Sequence, residues 1–206
     1  MQSESHVLWW NAFKQGDWDA FTALYGEFYE LLNNYGRKFT QDADLIQDVV
    51  HDLFVRLWTT RTRLGDPASV KNYLYKALRS ALFRKIQSLS KFVELDNATG
   101  QGGFAVNFIP DASFRQEEQE LRNQVIALVN TLPARQQEII FLRFYEGMSY
   151  EEIAVIMDIN MSSTYKLLYK ALDNLQKVSD KRFLTILSVL FILSKSFSKK
   201  IMIPEG

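Results

Sequence analysis

The stretch DNATGQGG, at 96–103, constrains the fold of this chain more than any other. Its glycines and small polar residues cannot sustain a helix or fill a core, so the chain divides there. On either side apolar residues recur three and four apart, and no segment alternates with period two, so both halves read as helical. The expected fold is all-α: two small helical domains joined by a flexible linker, the second a helix-turn-helix module. A chain of 206 residues, 47% of them apolar, has enough material for two cores. The expected boundaries are 1–92, a linker at 93–120, 121–178, and an apolar C-terminal extension at 179–206. Within the linker, FAVNFIP at 104–110 reads as a short extended patch that lies against one of the domains.

Several chemistries are excluded by what the chain lacks. Without Cys, and with only His6 and His51, it has no disulfide framework, no thiolate site and no histidine-rich metal site. It also offers no phosphate-binding glycine loop and no nucleophile beside a partner base. We therefore expect no cofactor, no metal, no small-molecule substrate and no enzymatic activity. MQSESHVLWWNAF carries no positive segment followed by a long apolar run, so no secretion signal is expected. The apolar stretch from Phe183 to Leu193 is about half of the roughly 20 residues a bilayer requires, so no transmembrane segment is expected. Covered by another surface, it would hold the free protein closed; as a tail cap it would fold alone. A cytoplasmic protein fits these features.

Net charge is zero, yet the charges are segregated. Between Pro67 and Val93 there is no Asp or Glu, while Lys71, Lys76, Arg79, Arg84, Lys85 and Lys91 are interleaved with Tyr73, Tyr75, Phe83 and Phe92. Local charge, not the total, sets the field that a phosphate backbone meets. The segment 94–120 has the opposite bias, with Arg115 its only cation.

Residues 149–175 hold two helical patterns separated by a short turn. Ser149 and Glu152 form a capping box, so a helix begins near Tyr150. Asp158-Ile159-Asn160-Met161 breaks the pattern, and Ser162 or Ser163 caps the next helix. On that helix Thr164, Leu168, Ala171, Leu172 and Leu175 share one face, while Ser163, Lys166, Lys170 and Lys177 share the other. Short polar residues near the N-terminus with cations behind suit a helix entering a major groove. Upstream, Pro133 opens a supporting helix whose apolar stripe is Ile139, Ile140, Leu142 and Phe144 and which ends at Gly147. A plain helix hairpin with solvated lysines satisfies the same spacing.

LVNTLPARQQEIIFLRFYEGMSYEEIAVIMDINMSSTYKLLYKALDNL nevertheless resembles the promoter-binding C-terminal domain of bacterial sigma factors of the extracytoplasmic-function (ECF) class. The likeness lies in the Leu-Pro before the first helix, Glu146-Gly147-Met148-Ser149, Glu152-Ile153-Ala154, and Tyr165 to Ala171. In that family the domain grips the minus-thirty-five element, which implies DNA contacts at Ser163, Thr164, Lys166, Leu167 and Lys170.

Residues 21–92 resemble the family's other domain, which docks on core RNA polymerase and melts the minus-ten element. QDADLIQDVVHDLFVRLW is similar to the core-binding helix that faces the β′ clamp, with His51 where glutamine is usual. Asp44, Asp48, His51 and Val55 fall within about 60° of one another on a helical projection, opposite Ile46, Val49, Leu53 and Leu57. The resemblance implies polymerase contact by Asp44, Asp48, His51, Asp52 and Val55. A solvated helix face gives the same projection.

RTRLGDPASVKNYLYKALRSALFRKI resembles the melting loop and helix, with Ser80 where asparagine is usual. On the helix, Val70, Leu74, Ala77, Leu78 and Ala81 are expected to point inward, with Tyr73 a core residue. Asn72, Lys76, Arg79 and Phe83 then share the outer face, where an aromatic ring among cations can stack an unpaired base. Arg61, Arg63, Lys71, Asn72, Lys76, Arg79 and Phe83 are the implied minus-ten contacts. The resemblance spans about residues 21–178 and implies core RNA polymerase (its β′ clamp), promoter DNA and an anti-sigma factor as partners. Two alternatives stand beside it: a stand-alone helix-turn-helix regulator, and a decoy that binds an anti-sigma factor.

Overall fold

The computed structural model describes residues 2–93 and 116–179, and every regular element among them is helical. The glycine-rich break, the FAVNFIP segment and the apolar stretch at 183–193 lie outside the described residues. The chain forms two compact units, 1–103 and 104–206.

In the first unit the helices are α1 (Gln2–Lys14), α2 (Trp18–Gly36), α3 (Ala43–Thr60) and α4 (Val70–Val93), with a short 3-10 turn at Arg61–Arg63. Gly16, at φ +94, reverses the chain after α1. The Asp17 carboxylate then starts α2 by accepting the backbone N–H groups of Asp19 and Ala20, at 2.9 and 3.0 Å. Asp42 does the same for α3, accepting from Leu45 at 3.0 Å.

The core of this unit is an i, i+4 stripe on α2 (Ala20, Leu24, Phe28, Leu32) meeting Ile46, Val49, Val50, Leu53 and Leu57 of α3. The two helices approach closely where Gly36 passes Ile46: a Cβ on Gly36 would stand 2.5 Å from Ile46 Cγ2. Tyr35 stacks on Tyr75 of α4, ring centroids 4.9 Å apart. The inward stripe of α4 is Val70, Leu74, Tyr75, Leu78 and Leu82. This corrects the projection from sequence at Ala77 and Ala81, which are half-buried, and at Tyr73, also half-buried, where Tyr75 is the core ring. Three helices pack around α4 unevenly, and a projection of one helix cannot register which flank is left open.

The second unit contains α5 (Gln116–Asn130), α6 (Ala134–Ile140), a π turn (Phe141–Tyr145), α7 (Tyr150–Met157) and α8 (Met161–Ser179). Helix α5 begins inside the segment expected to be linker, and its Val125 and Val129 join the core. The side chain of Gln137, itself buried, donates to the carbonyls of Leu132 (2.7 Å) and Asn130 (3.3 Å), closing the turn around Pro133. The π turn, in which the Glu146 N–H reaches the Phe141 carbonyl at 3.1 Å, shifts the helical register by one residue. Ile139, Ile140 and Leu142 are buried as the stripe predicts, Phe141 is buried with them, and Phe144 is only half-buried. Gly147, at φ +67, ends the element as the sequence indicated.

Candidate nucleic-acid interface

The helix pair is built by its caps. The Ser149 N–H donates to Glu152 Oε2 (2.8 Å) and the Glu152 N–H to Ser149 Oγ (3.2 Å), the reciprocal box that begins α7. Beside it the Glu151 carboxyl is held below the usual carboxylate range. Its own backbone N–H does most of this, the Ser149 hydroxyl less, and the Arg143 guanidinium adds attraction. Asp158 takes the left-handed conformation (φ 54, ψ 54) and stops α7. Asn160, not Ser162 or Ser163, caps α8: its Oδ1 accepts the Ser163 N–H at 2.8 Å.

Of the expected minus-thirty-five contacts, Lys166 and Lys170 are exposed and Ser163 and Leu167 are half-buried. Thr164 is not available to DNA. It is wholly buried and its hydroxyl donates to the Asn160 carbonyl at 3.1 Å, a core role at the seam of α7 and α8. The residues that join the lysines on the outer face are Ser162, Tyr165 and Tyr169, the two tyrosines 50% and 76% exposed. The Tyr165 ring leans on Tyr150 (centroids 4.5 Å apart), and Arg143 lies 4.9 Å from the Tyr150 ring. The i, i+3, i+4, i+7, i+8 spacing of 162, 165, 166, 169 and 170 was the signal for this face, obscured because exposed tyrosines resemble core residues by type.

In the first unit, Asp44, Asp48, His51, Asp52 and Val55 are all exposed, and Ile46, Val49, Leu53 and Leu57 are buried behind them. A groove of about 790 Å³ separates α3 from α4. Its floor includes Val49, Leu53, Leu57, Ala77 and Ala81, and its rim carries Arg56, Arg63, Lys76, Arg84 and Lys85, with Asp52 the one carboxylate among the described residues that line it. Apolar floor and cationic rim are the combination that takes an unstacked base with its phosphates.

The structure sorts the expected minus-ten residues. Arg63 and Lys76 line the groove. Arg79 lies 4.6 Å from the Phe83 ring, which is 42% exposed, and Lys71 lies 5.5 Å from the ring of Tyr75. Asn72 is a correction: it is 7% exposed, enclosed in the first turn of α4, with its buried Oδ1 unpaired. Arg61 is half-buried, its guanidinium 4.4 Å from the Trp58 ring and donating from Nη1 to the Trp58 carbonyl at 2.8 Å. The enclosure of Asn72 arises at a helix end, where neighbouring segments cover a face that is open further along the helix.

The helical unit with a basic groove and the unit with a capped helix-turn-helix each correspond to a known family. Residues 24–92 match the family described as Sigma-70 region 2, and residues 122–175 match Sigma-70, region 4. Among relatives, the ferric citrate uptake sigma factor FecI of Escherichia coli (strain K12) is 24% identical over 156 residues, covering 75% of this chain and 87% of that protein. The RNA polymerase sigma factor SigV of Bacillus subtilis (strain 168) is 26% identical over 146 residues, 71% of this chain and 80% of that protein. The ECF RNA polymerase sigma-E factor of Escherichia coli (strain K12) is 26% identical over 170 residues, 77% of this chain and 85% of that protein.

Two solved structures share the fold. CnrH, in complex with the cytosolic domain of CnrY, aligns with a TM-score of 0.57 at 18% identity, covering 85% of this chain and 97% of that one. The sigma factor RpoE from Bartonella quintana, in complex with the anti-sigma factor NepR, aligns at 0.61 and 20% identity, covering 79% and 98%. The chain belongs to the RNA polymerase sigma factors of the extracytoplasmic-function class.

Proposed function

We propose that this protein binds core RNA polymerase in the cytoplasm, directs it to a promoter and helps separate the strands at initiation, with no catalytic chemistry of its own. The observation that carries the reading is one unit presenting two surfaces of opposite character. Helix α3 turns Asp44, Asp48, His51, Asp52 and Val55 outward, suited to the β′ clamp, while the adjoining groove is rimmed with cations. In this reading residues 1–92 bind polymerase and the minus-ten element, residues 93–120 link, and residues 121–178 read the minus-thirty-five element through Lys166, Lys170 and the half-buried Ser163 and Leu167.

An anti-sigma factor is a further proposed partner, because the RpoE neighbour was solved with one. A stand-alone operator-binding regulator accounts for α8 but leaves the outward acidic face of α3 without a use.

The test is transcription in vitro with purified core polymerase on a genomic fragment library, comparing the wild type with an Asp48→Ala, Asp52→Ala double variant. Discrete start sites that vanish in the variant are expected. Equal start sites from both refute α3 as the polymerase face. Silence from both leaves two readings, a closed form that trimming residues 180–206 would release or a DNA-binding protein that never needed polymerase.

A further inference from the structure

Helix α1 lies upstream of both matched segments, yet it holds the loop that joins α3 to α4. Trp10 is 2% exposed, and its indole Nε1 donates to the Gly65 carbonyl at 3.1 Å. The same ring stands edge-on to Tyr73 in the first turn of α4, with centroids 5.3 Å apart. One turn further along α1, Lys14 Nζ pairs with Asp66 Oδ1, the residue after Gly65. Gly16 then brings the chain past Arg61, whose Nε would lie 3.7 Å from a Cβ at that position. Residues 64–69 form no helix of their own, so these links from α1 are tertiary restraints on Gly65 and Asp66.

The chemistry of the links is informative. Packing of α1 on α2 is carried by Phe13, whose ring stacks on Phe21 at 5.7 Å, and by His6, which stands against Phe28 and Glu27. A polar bond to a loop carbonyl adds direction to that contact, because a hydrogen bond fixes both distance and angle. The Lys14–Asp66 pair is partly exposed, its side chains 17% and 75% accessible, and a pair in that setting contributes little to stability. It does restrict where the loop can go. The loop runs from Arg63 and Leu64, which line the groove, to Val70 at the start of α4.

We propose that Trp10 and Lys14 are positioning residues for strand separation: they hold residues 64–69 so that Arg63 and the groove rim meet unpaired DNA already in place. This rests on the proposed minus-ten role of the groove. Preorganisation of this kind raises the rate of opening without adding any contact to DNA, since the ordering of the loop precedes binding.

The experiment uses the full chain with core polymerase on a promoter recovered by the transcription assay, with 2-aminopurine in the minus-ten element reporting opening. Trp10→Phe keeps an aromatic ring, smaller than the indole, and removes the donor. Lys14→Asp and Asp66→Lys break the pair, and the double variant restores it with the charges exchanged. Trp10→Phe is expected to slow opening about fivefold, the worth of one hydrogen bond, Lys14→Asp and Asp66→Lys about twofold, the worth of a partly exposed ion pair, and the exchanged pair to recover most of that deficit. Affinity for core polymerase and the unfolding midpoint followed by Trp fluorescence stay at wild-type values for the lysine and aspartate variants. Wild-type opening rates in all single variants overturn the proposal, as does an exchanged pair no faster than its parents. Arg63→Ala separates the two levels of the argument. Slow opening in Arg63→Ala alone sinks only the role of α1, whereas no effect of Arg63→Ala removes the groove reading and the proposal with it.

Discussion

Replacing Gly36 with alanine tests the packing that sets the orientation of α3. The added methyl would stand 2.5 Å from Ile46 Cγ2 and 3.5 Å from Cγ1. Carbon atoms in contact prefer about 3.5–4.0 Å, so one helix or the other must shift by about 1 Å. Overpacking of this kind costs about 1–3 kcal/mol. The gain in helix propensity from glycine to alanine, about 1 kcal/mol in a helix interior, is smaller here because Gly36 is the last residue of α2. The expected net destabilisation is about 1–2 kcal/mol.

Ile46→Ala alone leaves a cavity and costs about 2–5 kcal/mol. In the double variant the new methyl occupies part of the vacated space, so the two effects are less than additive by about 1–2 kcal/mol, the clash energy recovered. Urea unfolding followed by tryptophan fluorescence reads this cleanly, because Trp9, Trp10, Trp18 and Trp58 all belong to the first unit. A Gly36→Ala protein with an unchanged midpoint, or a strictly additive cycle, refutes the close approach of α2 to Ile46.

The recognition helix and its cap make two further predictions. The Lys166→Ala, Lys170→Ala double variant is expected to lower the slope of log affinity against log salt by about 1.8 for duplex minus-thirty-five DNA, about 0.9 for each phosphate no longer neutralised. Lys177, paired with Asp173 at 2.7 Å, serves as the control whose replacement leaves the slope unchanged. An unaltered slope in the double variant excludes α8 as the phosphate-contacting helix. Asn160→Ala removes the cap of α8, worth about 1 kcal/mol, so amide hydrogens in its first turn are expected to exchange about fivefold faster. Unchanged exchange at the Ser163 amide shows that the side-chain cap is not made in solution.

Much of the site was legible in the sequence because helical periodicity and capping are local. The Ser149 and Glu152 box could be read directly, since both partners lie within one turn and each side chain meets the other's backbone. The exposure of Asp44, Asp48, His51, Asp52 and Val55 followed from rotation along α3 and from the apolar residues behind them. The same reasoning placed Lys166 and Lys170 on an open face. It also turned Thr164 inward with the apolar residues, where the family resemblance had pointed outward, and the residue is buried.

Local spacing determines which residues share a face, and tertiary packing determines which faces are covered. The rotation between neighbours on a helix is a property of the backbone, so the all-α fold and the division of the chain follow from the order of residues alone. Enclosure depends on residues far away in the chain. Asn72 is buried although Phe83, on the same side of α4, is exposed; Arg61 lies on Trp58; and Gly36 is required by Ile46. The bond from Trp10 to Gly65, across 55 positions, has no counterpart in any local pattern. Such a bond exists only once the helices have packed, and it was therefore left to the tertiary structure to decide.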